Sequence, residues 1–337
     1  MLSKDSWILV TGGAGLIGST IVYELNQMGY ENIIIVDHLG TGEKWQNLRA
    51  LKFVDYFEKA DFYRNLEEKL ARYPVRVIFH LGNCSDTTEV DATYLMDNNY
   101  DGGKELTAYC LNKGIRMIYA SSAATYGDGE AGFKDDEALI PKLRPLNKYG
   151  YSKQIFDQYL WRNGYLGKIE DSGASFVGVK YSNVFGPNEY HKGKMRSMLL
   201  RCYEQITEKG QVGLFKSYHP EYGDGEQVRD FLYVRDAARM TIFFMNEGAE
   251  CRGLYNIGFG ATRSWNDLAK AMFAAMGRPV DIKYIDMPEE LKARYQYYTC
   301  LDISKIRQAG YNAPLTSLED AARDYVSYLK RGAHWGD

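Results

Sequence analysis

The sequence predicts an α/β protein, a doubly wound parallel sheet (Rossmann) with a smaller C-terminal substrate-binding lobe. Three observations carry that expectation: a strand, glycine-rich loop and helix at the start, alternating strand and helix patterns up to residue 181, and loss of that alternation afterwards. Residues 7–10 form a short apolar run ended by Thr11-Gly12-Gly13, and a helical pattern follows over 16–28. Ile33-Ile34-Ile35-Val36 is continuously apolar, as strands covered on both faces are. Further strands are expected at 75–80, 115–120 and 175–181, with a helix over 93–113. Past Tyr181 the chain becomes rich in Gly, Lys, Tyr and charge. Helices are expected at 197–207, 234–246, 264–276 and 316–330, and an irregular stretch at 217–227. The expected division is a dinucleotide-binding domain over 1–181, to which 230–246 returns, and a lobe made of 182–229 and 247–337.

Bulk properties narrow the function. The 337 residues are 45% hydrophobic and 25% charged, values of an ordinary folded protein rather than a disordered one. A net charge of -3 gives no general attraction to nucleic acid or anionic membrane, so phosphate binding must come from local groups. No apolar run approaches the ~18 residues of a membrane span, and the N-terminus lacks the pattern of a secretory signal. The five cysteines, Cys84, Cys110, Cys202, Cys251 and Cys300, are odd in number and include no C-x-x-C. They predict reduced thiols in a cytoplasmic enzyme, with neither a metal site nor a disulfide framework.

The glycines at 12, 15 and 18 stand between the first strand and the first helix. Gly12 permits the tight turn, Gly15 lets backbone approach a pyrophosphate, and Gly18 lets helix and strand pack closely. The helix N-terminus then offers free N–H groups to the phosphates. Asp37 ends the second strand about twenty residues on, where a carboxylate meets the adenosine ribose of NAD. Lys44 and Lys59 follow, and cations there would suit the extra phosphate of NADP. Spacing leaves both cofactors open.

Tyr149-Gly150-Tyr151-Ser152-Lys153 puts a phenol and an ammonium four apart, hence on one helix face. A free phenol, with a pKa of about 10, is a poor base near neutrality. A neighbouring ammonium and an oxidised nicotinamide would favour the phenolate. Ser122, at the end of the 115–120 strand, stands where it can hydrogen-bond a reacting oxygen.

With these residues the chain resembles the extended short-chain dehydrogenases/reductases. Met96-Asp97-Asn98-Asn99-Tyr100, the stretch from Ala120 to Gly127, Asn183-Val184-Phe185-Gly186-Pro187, His191-Lys192-Gly193, Arg229-Asp230-Phe231 and Arg294-Tyr295-Gln296 narrow it. Over 8–310 it is similar to the ADP-L-glycero-D-manno-heptose 6-epimerase family. The resemblance implies epimerisation at C6 of an ADP-linked heptose by transient oxidation and reduction. Tyr149 and Lys192 would be acid/base groups on opposite sides of the carbon, with Ser122 and Lys153 assisting. It implies NADP held by Gly12, Gly15, Leu16, Ile17, Gly18, Asp37, His38, Lys44, Lys59, Leu81, Gly82, Asn83, Cys84, Ser85, Asn98, Tyr149, Lys153 and Lys192. Asn183, Lys194, Arg201, Phe215, Lys216, Arg229 and Tyr295 would meet the nucleotide sugar. It further implies a homo-oligomer, in many members a pentamer, and a product destined for lipopolysaccharide core.

Lys194 and Arg201 stand where other members have a serine and a histidine, and 217–227 is longer. A 4,6-dehydratase would carry an Asp-Glu pair where Ala123 and Ala124 stand. A UDP-hexose 4-epimerase shares the serine, tyrosine and lysine but not His191-Lys192-Gly193. A non-catalytic NADP-sensing module often loses the tyrosine or lysine that this chain keeps.

Overall fold

The structure, a computed structural model, describes residues 2–169, 172–292 and 295–337. Its central sheet has strands β1 (Trp7–Thr11), β2 (Ile33–Asp37), β3 (Asp55–Glu58), β4 (Val75–His80), β5 (Arg116–Ser122), β6 (Ser175–Tyr181) and β7 (Gly253–Ile257). They lie in the order β7-β6-β5-β4-β1-β2-β3, every neighbouring pair parallel. Chain direction along the sheet reverses between β1 and β4, which opens a crevice at the carboxyl ends of the strands.

Alternate side chains supply two separate cores. Ile8 and Val10 of β1 pack with Ile21, Val22 and Leu25 of α1 (Leu16–Gln27). Leu9 points the other way, into a core shared by Leu106 of α2 (Gly102–Lys113) and Phe156 of α3 (Lys148–Arg162). Every residue of β2 and β6 is buried, including Asp37 of β2 and Ser175 and Lys180 of β6, so neither strand has a solvent-facing side. The part expected to form the smaller lobe supplies α4 (Met198–Lys209), α6 (Trp265–Met276) and α7 (Leu318–Arg331), which share one core with α1. It also holds a parallel pair, Val212–Phe215 with Ile282–Ile285. Among the described residues no helix is long and apolar enough to cross a membrane.

α5 (Val234–Phe243) returns from that lobe to pack against α1. The buried Arg116 guanidinium pins its far end, donating to Phe244 O at 2.8 Å, Gly248 O at 3.1 Å and Cys251 O at 2.9 Å. On sequence grounds 247–337 falls wholly in the smaller lobe, but Gly253–Ile257 instead pairs with β6 as the seventh strand. A buried polar residue hides this strand from apolar pattern. Asn256 donates to Phe133 O at 2.8 Å and Asp302 O at 2.9 Å, and accepts from the Tyr126 hydroxyl at 2.7 Å. β3, an edge strand of mixed polarity, was equally silent in sequence. The helix expected over 93–113 is broken, because Asp97–Asp101 forms a π-helical turn between Ala92–Met96 and α2. Such turns gather at functional sites, and this one carries Asn98 and Asn99.

One buried ion pair joins β5, β6, α3 and the turn after β5. Lys180 Nζ and Asp157 Oδ2 lie 2.5 Å apart, and neither side chain has exposed surface. Lys180 also reaches the Thr125 hydroxyl at 2.7 Å, while Ser121 Oγ and the Tyr119 hydroxyl donate to Asp157 at 2.7 and 3.0 Å. Removing one partner strands the other charge. Lys180→Met should therefore cost about 3–5 kcal/mol. Urea unfolding would measure it, and Lys180→Met paired with Asp157→Leu should recover much of the loss.

Candidate active site

A cleft of about 2360 Å³ runs along the carboxyl ends of the strands and on into the smaller lobe. A drug-sized ligand needs roughly 300–1,000 Å³, so there is room for two large ligands together. At its dinucleotide end Gly12 has φ +71°, and a Cβ there would sit 2.7 Å from the Gly82 nitrogen and the Leu81 carbonyl. A Cβ on Gly18 would lie 2.1 Å from the Gly12 oxygen. Gly15 caps α1 without any side-chain hydrogen bond, so first-turn N–H groups remain for an anion. This cradle fits a dinucleotide pyrophosphate.

The Asp37 carboxylate is already engaged. Its oxygens accept from Ala14 N and His38 N, each at 2.7 Å, and the Lys44 ammonium bonds it as well. Lys59 bonds the Asn98 side chain on the same rim, and burial lowers its pKa. His38 bonds Glu58 at 2.7 Å. Leu81 to Ser85 also line the cleft, steadied by the buried Asn99, a residue without a separate signal in sequence. Asn99 Oδ1 accepts from Cys84 N at 2.7 Å, and its Nδ2 donates to Cys84 O and Ser152 Oγ, both at 2.9 Å. Ser152 Oγ in turn donates to Tyr149 O at 2.7 Å, so one amide links the 81–85 segment to α3.

Tyr149 stands in the first turn of α3, which Asn147 caps by accepting from Gly150 N at 2.7 Å. Burial raises the Tyr149 pKa, and a hydrogen bond from the side of Ser122 offsets part of the rise. Burial lowers Lys153 to about 7, against the pull of Asp157. In the chain alone, therefore, Tyr149 keeps its proton near neutrality and Lys153 readily loses one. The aid of lysine to phenolate expected from spacing needs a charge that the protein alone does not supply.

The same cleft is lined by Lys192, whose pKa burial lowers, in the turn Tyr190–Met195. Asn183, Lys194 and Arg201 line the same cleft, and the Arg201 guanidinium bonds the Lys194 carbonyl. At the lobe end the Arg229 guanidinium lies 5.5 Å from the Trp265 ring and 5.4 Å from Tyr295. Trp265 Nε1 donates to the Tyr295 hydroxyl at 3.0 Å. Trp265 escaped the sequence reading, since an aromatic at the start of a helix reads as ordinary core. Phe215 meets Tyr295 edge-on at 6.4 Å. Lys216 does not join them. It follows the strand Val212–Phe215 with its side chain half-exposed, and its Nζ pairs with Asp286 at 3.1 Å. Arg294 lies outside the described residues. Among those described, no cluster of His, Cys, Asp and Glu could hold a metal ion.

Residues 8–258 match the model of the NAD dependent epimerase/dehydratase family. The chain belongs to this family. Within it, the chain is 46% identical over 318 residues to the ADP-L-glycero-D-manno-heptose-6-epimerase of Nitratidesulfovibrio vulgaris (strain DP4), covering 94% of this chain and 96% of that one. It is 44% identical over 333 residues to the Fusobacterium nucleatum protein of that name, covering 96% and 98%. The crystal structure of the Helicobacter pylori ADP-L-glycero-D-manno-heptose-6-epimerase superposes with a TM-score of 0.79 at 27% identity, over 97% of each chain. Membership in an NAD dependent epimerase/dehydratase family makes the cradled group a nicotinamide dinucleotide.

The depressed Lys153 pKa has a consequence for stability. The unfolded chain keeps this proton up to about 10.5, whereas the folded chain releases it at about 7. Between those values the unfolded state binds more protons, so this group makes stability rise with pH. Lys153→Met should accordingly be more stable than the parent below pH 7, with the advantage shrinking toward pH 10. Denaturant midpoints across that range check it, and an advantage independent of pH would contradict the assignment.

Proposed function

We propose that this protein interconverts ADP-D-glycero- and ADP-L-glycero-D-manno-heptose by inverting C6. The observation that carries the proposal is a pair of proton-transfer groups shifted by burial, Tyr149 from α3 and Lys192 from the turn Tyr190–Met195, in the lining of one cleft. The nicotinamide cofactor, when bound, supplies reversible hydride transfer. Inversion through a planar ketone changes the side on which the oxygen lies, so one acid/base group does not serve both halves. Tyr149 exchanges the hydroxyl proton in one configuration, assisted by Ser122. Lys192 exchanges it in the other, and desolvation brings its ammonium closer to a working pKa. Arg229, held between Trp265 and Tyr295, offers a fork of donors to the diphosphate. Lys194 and Arg201 add charge on that path. The cofactor-binding part is residues 1–181 with 230–246 and, from the sheet pairing, 253–257; the remainder forms the sugar-nucleotide side. The family resemblance supports a cytoplasmic homo-oligomer, and sedimentation would measure the oligomeric state.

Incubation with ADP-D-glycero-D-manno-heptose, with C6 configuration followed by NMR, tests the proposal. Conversion of a UDP-hexose at C4 with none at C6 overturns it. Lys192→Met should lower kcat by about 10²–10⁴-fold. Retained binding of the substrate would distinguish this loss from unfolding.

NADP is the form we propose. Lys44 neutralises an Asp37 carboxylate that is already bonded to two backbone N–H groups, and Lys59 adds a second cation on the same rim. Mass spectrometry of the released cofactor tests the choice. Lys44→Ala should weaken NADP binding by about tenfold, the scale of one lost charge contact, with a smaller effect on NAD. Equal losses for both cofactors would argue against a phosphate contact.

A further inference from the structure

The turn that carries Lys192 is bound to the glycine loop by one buried amide. Asn47 ends the 3-10 turn Glu43–Asn47 and is 2% exposed. Its Nδ2 donates to Ala14 O at 2.8 Å and to Asn188 O at 2.9 Å, with His191 Nδ1 at 3.3 Å. Ala14 belongs to the loop that cradles the dinucleotide phosphates, whereas Asn188 and His191 lead directly into Lys192.

That turn does not hold its shape unaided. Asn188 has φ 75°, the one positive value outside glycine among the described residues, and is wholly buried. Asparagine tolerates this region better than most residues, yet it still needs surrounding bonds to hold it there. Its side chain donates to Ser19 Oγ on α1 at 3.0 Å and accepts from Trp335 N at 3.2 Å. The buried Glu189 carboxylate then accepts from Ser197 N at 2.5 Å, Ser197 Oγ at 2.6 Å and the Tyr325 hydroxyl at 2.9 Å. Lys192 N closes the turn on Glu189 O at 3.0 Å. Burial, with Lys44 and Lys192 nearby, holds His191 down at about 4, so near neutrality its ring can accept from Asn47.

We propose that Asn47 is a positioning residue that sets Lys192 against the glycine loop, coupling the loop that receives the cofactor to the placement of the second proton-transfer group. This rests on the reading of Lys192 given above. A double-mutant cycle on the purified holoenzyme tests it, with Asn47→Leu made in the parent and in Lys192→Met, and ADP-D-glycero-D-manno-heptose as substrate. Asn47→Leu should lower kcat roughly 10–100-fold with little change in KM, as small displacements of a reacting group do. In the Lys192→Met background, assayed over long incubations, it should cost less than about twofold, because residues acting through one group are not additive. Equal losses in both backgrounds at unchanged cofactor content, or full activity in Asn47→Leu, overturns the proposal. Full activity in Lys192→Met alone overturns the reading of Lys192 instead, and the proposal with it. Should Asn47→Leu fail to fold, Asn47→Gln, which keeps the donor but moves it by one methylene, carries the same cycle.

Discussion

Lys180 and Asp157 form the contact on which the side of the cleft built from β5 and α3 depends. With no exposed surface on either side chain, each charge is tolerable only because the other is present. The pair does more than neutralise itself. Asp157 holds Ser121, the neighbour of Ser122, and Lys180 holds Thr125, whose hydroxyl donates to the Ser122 carbonyl at 2.7 Å. Since Asp157 lies one helical turn beyond Lys153, the same contact fixes how far α3 stands from the end of β5. The separation of Ser122, Tyr149 and Lys153 is thus set from beneath by groups that touch no ligand.

A second theme is the use of buried amides as joints. Asn99 ties the wall at Cys84 to α3, Asn47 ties the glycine loop to the Lys192 turn, and Asn256 ties β7 to the loops at Phe133 and Asp302. A primary amide presents two donors and an acceptor in one plane without charge. It can therefore satisfy several loop backbones at once without the desolvation cost of an ion. Each joint lies where irregular chain from distant parts of the sequence meets at the cleft.

Burial also explains the ionisation of the site. Tyr149 is pushed up, while Lys153, Lys192 and Arg229 are pushed down, in every case chiefly by loss of water. Spacing alone implied that Lys153 would charge-stabilise the Tyr149 phenolate. The chain without ligand instead keeps the buried phenol neutral and brings Lys153 down to about 7, in both cases chiefly through burial. A positively charged nicotinamide beside Tyr149 would favour the phenolate.

Much of the molecule was legible in the sequence because it rests on local rules. The glycines at 12, 15 and 18 are required by contacts within one strand-loop-helix unit, though a Cβ on Gly12 would also meet Leu81 and Gly82, and the run at 33–36 is apolar because both faces are covered. The Tyr149–Lys153 spacing likewise reports one helix face. Illegible were β3 and β7, the π turn at Asp97–Asp101, the pairing of Lys216 with Asp286 and the ring of Trp265 beneath Arg229. So were the joints made by Asn47, Asn99 and Asn188. These depend on partners tens to hundreds of residues away, and an asparagine looks alike in sequence whether it faces water or fastens two loops. The chain by itself determined which chemical groups are available and the class of fold that gathers them. Only the tertiary structure decided their spacing and charge, because burial and long-range hydrogen bonds exist only once distant segments have met.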